Sequence, residues 1–190
     1  MVEKIDDGVY KVVGHSNVYI IMKPEVYVID TSNNMHRKDI GKEIESVVPL
    51  RDVKKVLLTH LHYDHCGNVD LFLNAGVYAS KEELENFRES PNDFFVQGIS
   101  EKGKNMVLNA TELPNEINGL KVISVPGHTK GSVAFLDEKR KVLYSGDTLF
   151  LNGVGRTDFV NSVPKEMDSS VDRLKGLVEG GYKLCAEHDY

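Results

Sequence analysis

The apolar positions change period several times along the chain, and each change marks an element. Val9–Val13 alternates, and Val18–Met22 and Val26–Asp30 are β-branched and aromatic runs separated by Lys23-Pro24. The first third therefore reads as strands joined by turns. The polar cluster Thr31-Ser32-Asn33-Asn34 predicts a loop, after which Ile40, Ile44, Val47 and Val48 recur at helical spacing. Val53–Leu58 is a short continuous apolar run, as expected of a strand buried on both faces, and it leads directly into Thr59-His60.

Further on, Val69–Leu73 predicts a short helix and Val77–Ser80 a strand. Ser80-Lys81-Glu82-Glu83 has the form of a capping box, opening a helix to about Arg88. Residues 90–118 are rich in Asn, Gly, Pro and charge and read as loop, apart from a strand at Met106–Leu108. Leu120–Val125, Ser132–Asp137 and Val142–Ser145 predict three more strands. Met167, Val171, Leu174 and Val178 share one face of a long helix from about Pro164, and Lys183–Ala186 is a final strand. Strands followed by a helix, twice over, predict an α/β (α+β layered) fold of two packed sheets covered outside by helices. With no linker or low-complexity segment, residues 1–190 are expected to form a single domain.

Composition changes this picture little. A 41% hydrophobic and 27% charged chain of net charge −6 is ordinary for a globular protein, and its charges are interspersed. Without a basic patch, nucleic acid is not expected as a main partner. The N-terminus shows no secretory pattern and no stretch approaches the length of a membrane span, so no membrane is expected. Two cysteines, Cys66 and Cys185, are too few for a disulfide framework. These features together predict a reduced, cytoplasmic protein; they do not bear on its oligomeric state.

The histidines change it more. Seven occur in 190 residues, yet His60, His62 and His65 crowd around Asp64 in THLHYDHCGN. Chance places such a tetrad in roughly one chain in a thousand. In an extended segment His60, His62 and Asp64 would point to one side, with His65 where the chain turns into a helix. Imidazole nitrogen and carboxylate oxygen suit zinc, iron or manganese. His128 lies in a Pro-Gly turn between two predicted strands, Asp147 directly follows another, and His188 follows the last. His15 and His36 fall outside the pattern and read as structural or surface residues. Cys66, beside a helix start, reads first as a small residue packed behind the loop, with an acidified thiol as the alternative. Cys185 reads as core.

His60-x-His62-x-Asp64-His65 with His128, Asp147 and His188 resembles the metallo-β-lactamase-fold hydrolases, across motifs running from Asp30 to His188. The resemblance implies a four-layer αβ/βα sandwich with a two-metal site at one edge of the sheets. It implies that His60, His62 and His128 hold one ion, that Asp64, His65 and His188 hold the second, and that Asp147 bridges them. Asp30 matches the early aspartate that lies close behind the site and fixes a ligand's orientation; a turn aspartate is its alternative. The implied cofactor is a pair of divalent ions, zinc first and iron as the alternative, whose bridging hydroxide attacks a carbonyl while Asp64 orients it and takes its proton.

Gly146–Phe159, GDTLFLNGVGRTDF, and the terminal CAEHDY look like the glyoxalase II branch. That resemblance implies a small, anionic thioester or ester substrate contacted by Arg156, unless Arg156 only pairs locally with Asp158. Two departures stand out. Glyoxalase II enzymes continue into a helical domain that completes a glutathione pocket, whereas this chain stops two residues after His188, so a smaller or different thioester is expected. Glu187 occupies a position where glycine is common. A mononuclear iron persulfide dioxygenase, using the positions of His60, His128 and Asp147, is the alternative on the same scaffold, and a non-catalytic metal-binding module is a third.

Overall fold

A computed structural model describes residues 1–189, the side chain of His36 excepted; the reading of His36 therefore lies outside the described residues. The first sheet is assembled in chain order. It contains β1 (Val2–Asp6), β2 (Val9–Val12), β3 (Val18–Ile21), β4 (Tyr27–Ile29), β5 (Lys55–Leu57), β6 (Gly76–Ala79) and β7 (Thr111–Glu112). β1 to β4 pair antiparallel through tight turns, and β4 to β7 pair parallel. Each parallel step needs a crossover. α1 (Arg37–Glu45) supplies the first, and the turn α2 (Tyr63–Cys66) lies on the second. α3 (Lys81–Glu89) and α4 (Glu101–Leu108) lie on the third.

The second sheet, in the order β12-β11-β10-β9-β8, contains β8 (Glu116–Ile117), β9 (Leu120–Ser124), β10 (Val133–Asp137), β11 (Val142–Tyr144) and β12 (Lys183–Cys185). α5 (Pro164–Glu179) makes the crossover to the parallel final strand. Side-chain alternation divides the apolar residues among three interfaces. Val18 and Ile20 of β3 face α1 and α3, whereas Tyr19 and Ile21 face the other sheet, packed with Leu120, Phe135 and Tyr144. In β10, Val133 and Phe135 join that middle layer, while Ala134 and Leu136 pack outward on Met167, Val171 and Leu174 of α5. The result is the expected αβ/βα sandwich. Among the described residues no helix is long and apolar enough to cross a membrane.

Strands β7 and β8 fall in the stretch expected to be loop, and two further elements differ from expectation. The chain opens with β1, an edge strand that pairs only with β2 and carries the charged pattern VEKID, so its apolar period is weak. The strand expected at Met106–Leu108 is instead the end of α4, whose first turn is capped by the Ser100 hydroxyl accepting from Gly103 N. Three consecutive apolar residues look strand-like, but in α4 only Val107 of the three is fully buried. Helix α3 begins at the expected place, with Ser80 Oγ accepting from Glu83 N.

The seam beneath α5 gives a direct test. Leu174 is completely buried there, so Leu174→Ala should cost about 2–5 kcal/mol in urea unfolding. The exposed neighbour Lys175→Ala should change stability by less than about 0.5 kcal/mol.

Candidate metal centre

Parallel pairing brings the C-terminal ends of β4 and β5 to one edge of the first sheet, and those of β11 and β12 to the facing edge of the second. Asp30 follows β4, Thr59 to His65 follow β5, Asp147 follows β11, His188 follows β12, and His128 sits in the turn between β9 and β10. The turn after β11 approaches the turn after β5 closely. Gly146 has φ +55°, and a Cβ there would meet Thr59 Cβ at 2.9 Å, so this position requires glycine on both counts.

The extended geometry of the motif stops at His62, which caps α2. Asp64 therefore groups with His65 and His188 rather than with His60 and His62 on alternation. Three sets of side chains could each hold an ion, their ligand atoms within 4.8 Å of one another. They are His60, His62 and His128; His60, His65 and Asp147; and Asp64, His65 and His188. Asp147 turns one oxygen to each side. Its Oδ1 lies 3.3 Å from Nε2 of both His65 and His188, and its Oδ2 3.4 Å from Nε2 of His128.

Asp30, fully buried, accepts from Thr59 N (2.8 Å), Thr59 Oγ1 (2.7 Å) and His65 Nδ1 (2.8 Å). Since the single hydroxyl proton of Thr59 goes to Asp30, Thr59 Oγ1 accepts from His60 Nδ1 at 3.1 Å. One carboxylate thus fixes the orientation of two imidazoles, directly and through a hydroxyl, and turns both Nε2 atoms toward the centre. His128 is set likewise, its Nδ1 donating to the Arg156 carbonyl at 2.7 Å.

The fit to a cation is visible in what these groups lack. Nε2 of His60 is buried without a hydrogen bond, while Nε2 of His65 and Oδ1 of Asp147 meet as an ion pair at 3.3 Å. An unpaired buried polar atom costs about 1–3 kcal/mol, and a cation held by His60, His65 and Asp147 would satisfy His60 Nε2 together with its two neighbours. Burial, reinforced by neighbouring imidazoles, holds His60 far below its ordinary pKa and pushes His62 down to about 3; burial also lowers His128. These three are neutral imidazoles, and His62 Nδ1 faces His128 Nε2 at 3.0 Å. At His65 burial opposes the charge, but Asp147, Asp30 and Asp64 outweigh it and hold the proton. Burial likewise works against the Asp147 carboxylate, yet His65 and His188 hold it far below the usual range. A positive charge is therefore already stabilised between His65 and Asp147, where metal ligation would release a proton.

Several contributors escaped the sequence reading. Glu83, expected to complete a capping box, instead lies fully buried and joins two ligand-bearing loops. Its Oε1 accepts from Leu61 N (3.0 Å) and Thr129 Oγ1 (2.9 Å), and its Oε2 from Gly131 N (3.2 Å). His15 borders the site, with Nδ1 3.4 Å from Asp64 Oδ2. A cavity of about 460 Å³ opens over the cluster, and among its lining residues are Tyr63, Phe95, Phe150, Arg156 and Phe159. Arg156 makes a two-pronged ion pair with Asp158 (2.9 and 2.6 Å) and stacks over the Phe159 ring at 4.8 Å. Cys66 is buried and burial drives its thiol well up, the reverse of an acidified thiol; Cys185 is buried between the sheets, pushed up to about 12.

Sheets, ligand edge and donor set define a metal-binding αβ/βα sandwich, and the model of the Metallo-beta-lactamase superfamily matches residues 12–184; the chain belongs to that superfamily. It is 30% identical to a probable metallo-hydrolase of Streptococcus pyogenes, over 97% of this chain and 83% of that protein. It is 34% identical to the hydroxyacylglutathione hydrolase of Psychromonas ingrahamii over 87% of this chain, and the match spans 61% of that relative's length. Among solved structures, a protein crystallised in a di-iron-bound form superposes with a TM-score of 0.74 at 26% identity, over 92% of this chain and 88% of that one.

Glu83 should be visible in the pH dependence of stability. Burial outweighs its three hydrogen bonds and raises its pKa from 4.5 to about 7. Between those values the folded chain keeps a proton that the unfolded chain has lost, so stability falls as pH rises across that window. The loss is on the order of 3 kcal/mol and is complete above the folded value. In urea unfolding of metal-free protein at pH 5 and pH 8, Glu83→Gln should remove this part of the descent. An unchanged descent would place the titrating group elsewhere.

Proposed function

We propose that this chain is a metal-dependent hydrolase of a thioester or ester, built for two divalent ions. The observation that carries this reading is the placement of Asp147, one oxygen facing His128 and the other facing His65 and His188, at the base of an open cavity. His60, His62 and His128 would hold one ion and Asp64, His65 and His188 the other, with Asp147 shared and zinc the first expectation. A pair of such ions polarises a carbonyl oxygen and makes water acidic enough to attack near neutral pH.

The remaining work falls to side chains. Asp64 is partly exposed to the cavity and stands 3.7 Å from His188 Nε2, where it can orient water and take its proton. Ser16 Oγ donates to the Asp64 carbonyl and so fixes the backbone that carries it. Hydrolysis places the water oxygen on the acyl carbon and breaks its bond to sulfur or oxygen. The proton ends on the leaving thiol or alcohol. Arg156 is assigned to an anionic group of the substrate, for which it would exchange Asp158. The similarity to a hydroxyacylglutathione hydrolase supports the thioester, and the cavity beside the cluster favours catalysis over simple metal storage.

Metal content and turnover test this reading together. Elemental analysis of purified protein should give two ions per chain, and chelation should abolish hydrolysis of S-acyl thioesters until zinc or iron is restored. Asp147→Ala should lower both occupancies and reduce turnover by more than about a hundredfold. One iron per chain, with oxygen consumed on glutathione persulfide, would overturn the hydrolase in favour of the dioxygenase.

A further inference from the structure

The segment after α3 carries two adjacent phenylalanines with opposite fates. Phe94 is buried against Phe87, with ring centroids 5.3 Å apart. Phe95 has φ +56° and ψ +43°, a left-handed conformation rare for a bulky residue, and remains 41% exposed. Strained backbone of this kind persists where the surroundings enforce it and clusters at binding sites. Here it turns the Phe95 ring over the cavity, 5.5 Å from Phe159 and 5.5 Å from His62. Phe159 approaches the same histidine from another loop, at 5.1 Å, and Tyr63 stands 6.4 Å from Phe95. Gly98 lies directly against the Tyr63 ring, where any Cβ would collide with it. Phe150 and Val154 continue the wall.

We propose that Tyr63, Phe95 and Phe159, extended by Phe150 and Val154, form an apolar subsite that takes an apolar acyl group of several carbons from the substrate. The proposal rests on the hydrolase reading for the chemistry but not for the binding. The cavity is of the size that holds small ligands, and its aromatic walls begin at His62, beside the point where the acyl carbon would lie. Aromatic faces recognise an aliphatic chain by excluding water rather than by hydrogen bonding, so affinity should grow with chain length. A polar acyl group such as a hydroxyacyl unit would gain nothing from these walls.

Calorimetric titration of the metal-loaded protein with acetate, butyrate, hexanoate and octanoate tests this, alongside turnover of the matching S-acyl thioesters. Affinity should rise about threefold per methylene until the cavity is filled. Phe95→Ala and Phe159→Ala should each reduce the hexanoate-to-acetate affinity ratio about tenfold, while Phe95→Tyr, which keeps the ring, should retain it. Thermal melts identify any variant that fails to fold, and the wild-type chain-length series then stands by itself. Equal affinity across the series, or a rise that survives both alanine substitutions, would overturn the subsite. Chain-length-dependent binding without turnover of any thioester would keep the subsite and remove the hydrolase; turnover indifferent to chain length would do the opposite.

Discussion

The centre depends on one buried carboxylate. Asp30 ends β4 in a left-handed turn and accepts three hydrogen bonds from the segment that follows the neighbouring strand, β5. Those bonds do two things at once. They lock the end of one parallel strand to the next, and they fix the orientation of the His65 and His60 rings. A ring turned otherwise would not present Nε2 to the centre. Glu83 plays the corresponding mechanical part on the other side, bridging the backbone at Leu61 to that at Gly131 and so tying the His60–His62 loop to the His128 loop. Both carboxyl groups are buried, and both are satisfied by donors from the very loops that carry the candidate ligands.

Between these two satisfied struts lies a deliberately unsatisfied interior. His60 Nε2, His65 Nε2 and Asp147 Oδ1 have no hydrogen bond, nor has either carboxyl oxygen of Glu187, whose burial beside Asp30 and Asp147 drives its pKa well up. A soluble core would not keep so many polar atoms without hydrogen bonds, since each opposes folding. Five of the ten such atoms among the described residues gather at this one sheet edge, as expected of a place where stability has been exchanged for binding.

How much of this the sequence disclosed follows from where each signal lies. The strands buried on both faces, such as β5 and β10, and the one-sided face of α5 were legible because burial writes a period into the apolar residues. His60, His62, His65, His128, Asp147 and His188 were legible because scarce residue types recur where strands end. Asp30 was legible only through the resemblance, as its hydrogen bonds are made to residues about thirty positions away. Glu83 was misleading for a related reason: its spacing from Ser80 fits a local cap, but a more distant set of donors wins its side chain. The strand expected at Met106–Leu108 failed because three neighbouring apolar residues have no period to read, and the Ser100 cap, which decides for α4, lies well upstream. His15 carries no local signal at all, and reaches Asp64 only through the pairing of β2 with β3.

The floor and the walls of the cavity come from different kinds of chain. The floor, Asp64, His128, Asp147 and His188, is carried by loops at strand ends that buried carboxylates tie together. The walls, Phe95, Val154, Arg156 and Phe159, come from two connections, residues 90–99 and 150–161, that share few bonds with the floor. They meet the floor through the Arg156 carbonyl that fixes His128, Asn161 beside His62, Gly155 against the Asp147 backbone, and the Phe95 and Phe159 rings against His62. The contact that orients His128 is made by the backbone of residue 156 and so is independent of the side chain there. The candidate ligands thus bear on the chemistry, and the aromatic character of these particular walls bears on which substrate could lie against them.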